Sequence, residues 1–91
     1  MMLSARLQKT ISECAREFDV KTVWLFGSSL QDDSNSRDID LAVEGISPKL
    51  FFKFYARLFI ALPKPVDLVD LSQNISIASI IRTKGVPIYE R

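Results

Sequence analysis

Leu25-Phe26-Gly27-Ser28 and, after an interval of nine residues, Asp38-Ile39-Asp40-Leu41 form the stretch that decides how this chain folds. Val20 to Phe26 is rich in β-branched and aromatic residues, is apolar on both sides towards its end, and stops at Gly27, the pattern of a buried strand. A glycine there lets backbone approach a ligand closely, and a short helical turn opening at Ser28 presents free N–H groups and a positive dipole end. Anions fit such a turn, and the Ser28 hydroxyl adds a donor. Taken alone, Gly-Ser after a strand is also an ordinary turn. The aspartates that follow give it a second meaning.

Ile39, Leu41 and Val43 alternate with Asp38, Asp40 and Ala42, so a strand is expected whose one side is apolar and whose other side carries both carboxylates at roughly ~7 Å. Two unpaired carboxylates on one face repel, and a strand built otherwise from aliphatic residues has little reason to hold both. Magnesium removes that penalty, because it takes oxygen ligands, accepts one or two carboxylates and completes its shell with water and phosphate. The plainer alternative is a strand-capping Asp38 and a solvated Asp40. A two-metal site for phosphoryl transfer usually wants a third carboxylate. Val66-Asp67-Leu68-Val69-Asp70-Leu71 offers two, which point to opposite faces of a regular strand. Asp67, early on a strand expected beside the first pair, is favoured, with Asp70 as a strand-end or capping residue.

The remaining chain supplies a scaffold. Leu3, Leu7, Ile11, Cys14 and Phe18 recur at helical spacing, predicting a helix from Ser4 to Phe18. Ser47-Pro48 opens a second helix, a hydroxyl cap followed by proline at the first helical position, running to Leu62 before Pro63 and Pro65. Val66 to Leu71 is a strand. Asn74 can cap a third helix carrying Ile77, Ile80 and Ile81 and ended by Gly85. Val86 to Tyr89 closes the order α-β-β-α-β-α-β, and Pro87 confines this last strand to an edge. The fold class is α+β, a mixed sheet of about four strands flanked by three helices.

Composition narrows the chemistry. Ninety-one residues make one domain, residues 1–91, and a formal charge of +1 with 47% hydrophobic residues names no nucleic-acid partner. A single cysteine, Cys14, excludes an internal disulfide, and the absence of histidine leaves carboxylates, hydroxyls and cations as reactive groups. No apolar run reaches the ~18 residues of a membrane span and the first residues lack a signal-peptide core, so a cytoplasmic protein is expected.

Leu25-Phe26-Gly27-Ser28, Asp38-Ile39-Asp40-Leu41 and Val66-Asp67-Leu68-Val69 together resemble the minimal nucleotidyltransferases (MNT) of the DNA polymerase β superfold. The resemblance covers nearly the whole chain. It implies the nucleotidyltransferase fold, two Mg2+ ions on Asp38, Asp40 and Asp67 as catalytic carboxylates, and ATP held at Gly27 and Ser28 with Ser29 and Arg37 nearby. Many such proteins pair with a HEPN ribonuclease toxin as its antitoxin, placing AMP from ATP on a tyrosine of that partner. An alternative is an antitoxin that neutralises the HEPN partner by binding alone, and a third reading is a subunit modifying a small molecule.

One departure bears on activity. Family members often have ten residues between the serine and the first aspartate, with an arginine just after the serine; here there are nine, beginning Ser29-Leu30-Gln31-Asp32-Asp33. Asp32 and Asp33 would repel a triphosphate unless turned outward. Arg37 is the substitute cation, or the local ion-pair partner of Asp38. A core this small leaves no acceptor-binding domain, so another chain is expected to present the acceptor. The helix from Ser47 to Leu62 has an apolar arc wider than one buried face needs, with Lys49, Lys53 and Arg57 as a basic stripe, and is the expected surface for a homo- or hetero-oligomer.

Overall fold

The computed structural model describes residues 4–27, 38–73 and 75–91. Its elements run α1 (Ala5–Glu17), β1 (Thr22–Leu25), β2 (Ile39–Glu44), α2 (Pro48–Ala61), β3 (Val66–Asp70), α3 (Ile75–Lys84) and β4 (Val86–Glu90). This is the expected order and the expected α+β class. The four strands form one sheet in the order β3-β2-β1-β4. β1 pairs antiparallel with both β2 and β4, whereas β2 and β3 are parallel, joined by the α2 crossover.

Side-chain alternation splits the sheet into two apolar faces. On one, Val23, Leu25, Ile39, Leu41, Val43, Val66 and Leu68 pack with Ile11, Cys14 and Ala15 of α1 and with Phe54 and Leu58 of α2. On the other, Ala42 and Leu71, with Trp24, Phe26 and Val69 beside them, pack against Ala78 and Ile81 of α3. Ile11, Val23, Leu25, Leu41, Phe54 and Leu58 lose essentially all solvent contact, each worth roughly 1.5–3 kcal/mol of transfer free energy. Phe18 and Phe54 lock the two helices of the first layer, their ring centroids 5.5 Å apart.

Helix ends follow the sequence in part. Ser4 caps α1, its hydroxyl accepting from the Leu7 N–H at 3.3 Å. Ser47 occupies the cap of α2, but its side chain makes no capping hydrogen bond, contrary to expectation. Its carbonyl takes the Leu50 N–H at 2.8 Å instead, so the donor of the third helical position, which a capping hydroxyl would accept from, is already engaged by the backbone. The cap expected of Asn74 lies outside the described residues. Pro87 sits on the edge strand opposite Trp24, where the register shifts between Val23 and Trp24. A bulge absorbs the missing donor.

Candidate functional site

β1 and β2 run antiparallel, so the end of β1 delivers Phe26 and Gly27 to the beginning of β2. The Phe26 N–H donates to the Asp40 carbonyl at 3.1 Å, continuing the ladder one residue beyond the strand. Gly27 then turns with φ +64°, a left-handed conformation that costs an L side chain about 1–2 kcal/mol. A side chain would also displace its neighbour, since a Cβ on Gly27 would lie 2.7 Å from Asp40 Oδ2. The turn backbone and the Asp40 carboxylate are therefore in direct apposition.

β3 supplies the third carboxylate through its register. Asp40 and Asp67 are Cα partners in the parallel pairing, which holds neighbouring strands about 4.8 Å apart. Asp40 lies between Ile39 and Leu41, and Asp67 between Val66 and Leu68, all four on the α1–α2 face, so both aspartates project from the α3 face. Asp38, exposed just before β2, has the same parity. Asp67 is exposed and Asp40 half-buried. Asp38 and Asp40 each have an interaction partner within the chain.

Asp70 is separated from this group. It is paired with Val43 on the opposite face and is 7% exposed. Its Oδ1 accepts from the Ser72 N–H at 3.0 Å and from the Ser72 hydroxyl at 2.8 Å, which caps the turn into α3. Ser28, Ser29 and Arg37, together with Asp32 and Asp33, lie outside the described residues.

The donor set suits a hard cation in kind, being all oxygen and centred on two carboxylates of adjacent strands, the number magnesium takes while water and phosphate complete its shell. Among the described residues no group of three His, Cys, Asp or Glu side chains is gathered into a ligand cluster. Asp40 and Asp67 are the pair that strand register fixes.

Sequence reasoning missed the other wall of this region. A cavity of about 330 Å³ beside Gly27 is lined by Phe26, Ile77, Ile80, Ile81, Lys84 and Gly85. Its signal was present as Ile77, Ile80, Ile81 and Lys84 at i, i+3, i+4 and i+7, one helix face ending in a lysine. A second cavity, also about 330 Å³, lies between α2 and β3 at Phe51, Phe52 and Leu68, with neither Gly27 nor the three aspartates in its lining. No helix among the described residues is long and apolar enough to cross a membrane.

Against known proteins, the polymerase beta nucleotidyltransferase family model matches residues 8–91. Among curated proteins, none matches by sequence. Solved structures do. A tri-AMPylated Shewanella oneidensis HEPN toxin in complex with MNT antitoxin is similar at TM-score 0.72 and 23% identity, over 94% of this chain and 71% of that one. A toxin–antitoxin with AMP-PNP is similar at TM-score 0.69 and 26% identity, over 92% and 73%. An MntA–HpeT mutant, in which two aspartates two positions apart are changed to glutamate, is similar at TM-score 0.69 and 25% identity, over 92% and 73%.

Proposed function

The chain belongs to the polymerase beta nucleotidyltransferase family, and on that premise we propose that it is a magnesium-dependent antitoxin that transfers AMP from ATP to a tyrosine of a HEPN ribonuclease toxin. The observation that carries this reading is the apposition of Gly27 to Asp40, with Asp67 in register on the next strand. It sets an anion-gripping turn against a pair of carboxylates. The AMP-PNP complex and the tri-AMPylated toxin among the similar structures support the nucleotide, the group transferred and the kind of partner.

Asp38, Asp40 and Asp67 would hold two magnesium ions. When bound, these neutralise charge on the phosphate oxygens and lower the proton affinity of the acceptor hydroxyl. Gly27, with Ser28 and Ser29, offers backbone N–H groups to the triphosphate, and Arg37 adds a cation. Asp40, fixed from below by the β1–β2 ladder, would be a metal ligand held in place by the sheet. Asp67, exposed on the edge strand β3, faces the acceptor and takes its proton. The tyrosine oxygen then forms a bond to the α-phosphorus in line with the departing group, the bond from that phosphorus to the bridging oxygen breaks, and pyrophosphate leaves with the electron pair.

The short loop with Asp32 and Asp33 favours a second reading, an antitoxin that occludes the HEPN partner without transfer. One experiment separates the two: incubation of the chain with α-labelled ATP, magnesium and its cognate HEPN protein. Label on a HEPN tyrosine, lost in the Asp38→Ala, Asp40→Ala double variant, supports transfer. A tight unlabelled complex, indifferent to the double change, leaves binding alone.

A further inference from the structure

The cavity between Gly27 and α3 has walls that a phosphate turn does not require. Phe26 closes one side, Ile77, Ile80 and Ile81 form the other, and Lys84 with Gly85 stands at the end. Gly85 is what brings those walls together: a Cβ there would lie 2.6 Å from the Ile81 carbonyl and 3.1 Å from that of Leu25, so only glycine lets the end of α3 sit this close to β1. Ile80, a large aliphatic side chain, is nevertheless 55% exposed at the rim.

The geometry points to this cavity as the nucleobase pocket of the bound triphosphate, with a purine between Phe26 and the isoleucine face of α3 and the Lys84 ammonium at its edge. This rests on the nucleotide-transfer reading above and deepens it. Three features converge. Gly27 is common to the cavity and to the Asp40 carboxylate, so a ligand whose phosphates rest at the turn has its other end at the cavity mouth. The walls are largely apolar, as the faces of a base require, and the volume falls at the low end of the roughly 300–1,000 Å³ range of small-molecule sites. The one charged group among the described lining residues, Lys84, is a donor without acceptor capacity, suited to the ring nitrogens on a purine edge.

Sheet order separates base from acceptor. With β3-β2-β1-β4 across the sheet, the cavity lies on the β1 and β4 side of Asp40, while Asp67 lies on the β3 side. An acceptor tyrosine approaching Asp67 and a base resting on Phe26 therefore do not compete. The covered Ile80 gains a reason for its exposure, since the ligand removes it from water.

The test uses the full chain in magnesium buffer, with calorimetry and the fluorescence of Trp24, the sole tryptophan, which packs beside Phe26 and Ile81. ATP is compared with inorganic tripolyphosphate, which carries the phosphates without a base. ATP is expected to bind about tenfold or more tightly, and Ile80→Gln to weaken ATP about three- to tenfold while leaving tripolyphosphate unchanged. Lys84→Met, at an exposed position on the cavity edge, is expected to act in the same direction. Equal affinity for ATP and tripolyphosphate, or ATP binding untouched by both variants, overturns the pocket while leaving nucleotide transfer standing. Binding of neither ligand to the unaltered chain overturns the transfer reading and the pocket with it.

Discussion

Asp40 Oδ2 stands over Gly27 at the β1–β2 junction, in the space a side chain on Gly27 would fill, 2.7 Å from where its Cβ would lie. Gly27→Ala tests what this contact is for. The left-handed φ costs about 1–2 kcal/mol of stability, a modest loss readable by urea denaturation. Because the clash is with the end of a side chain, the carboxylate moves before the backbone does. AMP transfer is therefore expected to fall about 100-fold, further than the stability change alone explains.

Asp67 shows the same tension in the opposite direction. In register with Asp40, it places like charge beside like charge on one face. Without magnesium, Asp67→Asn is expected to stabilise the fold by about 0.2–1 kcal/mol, measured as a higher melting temperature. With magnesium and ATP, the same variant should lose transfer by about 100-fold or more, because a ligand and proton acceptor is gone. A variant that gains stability and loses activity marks the pair as functional; loss of both would make it structural.

β3 needs an anchor because it is an edge strand. The Tyr55 hydroxyl donates to the Val66 carbonyl at 2.8 Å, tying α2 to the start of the strand that carries Asp67. Tyr55→Phe removes this bond while keeping the ring stacked edge-on against Phe51, 6.1 Å away. About 1 kcal/mol of stability should be lost in denaturant titration. Amide exchange at Val66 to Leu68 should quicken more than exchange in β1.

The strands and helices were legible because their apolar periods changed cleanly from 2 to 3.6, as at Leu41 to Val43 and then Leu50 to Leu58. Strand neighbours were partly legible. Asp67 was placed near Asp40 from the chain order, yet the parallel register that makes them direct partners depends on the α2 crossover and cannot be read from either strand. Ser47 misled for a local reason: the Leu50 N–H that its hydroxyl could have accepted from is taken by its own carbonyl. The α3 wall escaped because Ile77, Ile80 and Ile81 look like ordinary core residues in sequence, whereas in the fold Ile81 is buried and Ile80 is left 55% exposed.

Cys14 provides a pH test of the packing between α1 and α2. Burial pushes its thiol above the ordinary value of 9.0, with the nearby Arg57 guanidinium opposing the shift in part. The folded state thus binds the thiol proton more tightly than the unfolded state. The associated stability is fully present below pH 9 and is lost as pH rises through the folded value. Unfolding free energy should fall above pH 9 by up to about 1.4 kcal/mol per pH unit more in the native sequence than in Cys14→Ala. Parallel curves for the two would show the thiol is not buried in solution.

On α2, Phe52 and Ile60 are 77% and 82% exposed, whereas Phe54 and Leu58 on the same helix are wholly buried. The helix therefore satisfies the core with one stripe and leaves a second one apolar. Changing exposed residues that pack on little costs little, so Phe52→Ser and Ile60→Ser should each alter stability by no more than about 0.5 kcal/mol. If this stripe carries the HEPN contact, each change should weaken the complex about tenfold or more by calorimetry, as buried aromatic and aliphatic anchors do. Unchanged affinity in the double variant would remove α2 from the interface and leave the Asp67 side of the sheet as the place where the acceptor chain must dock.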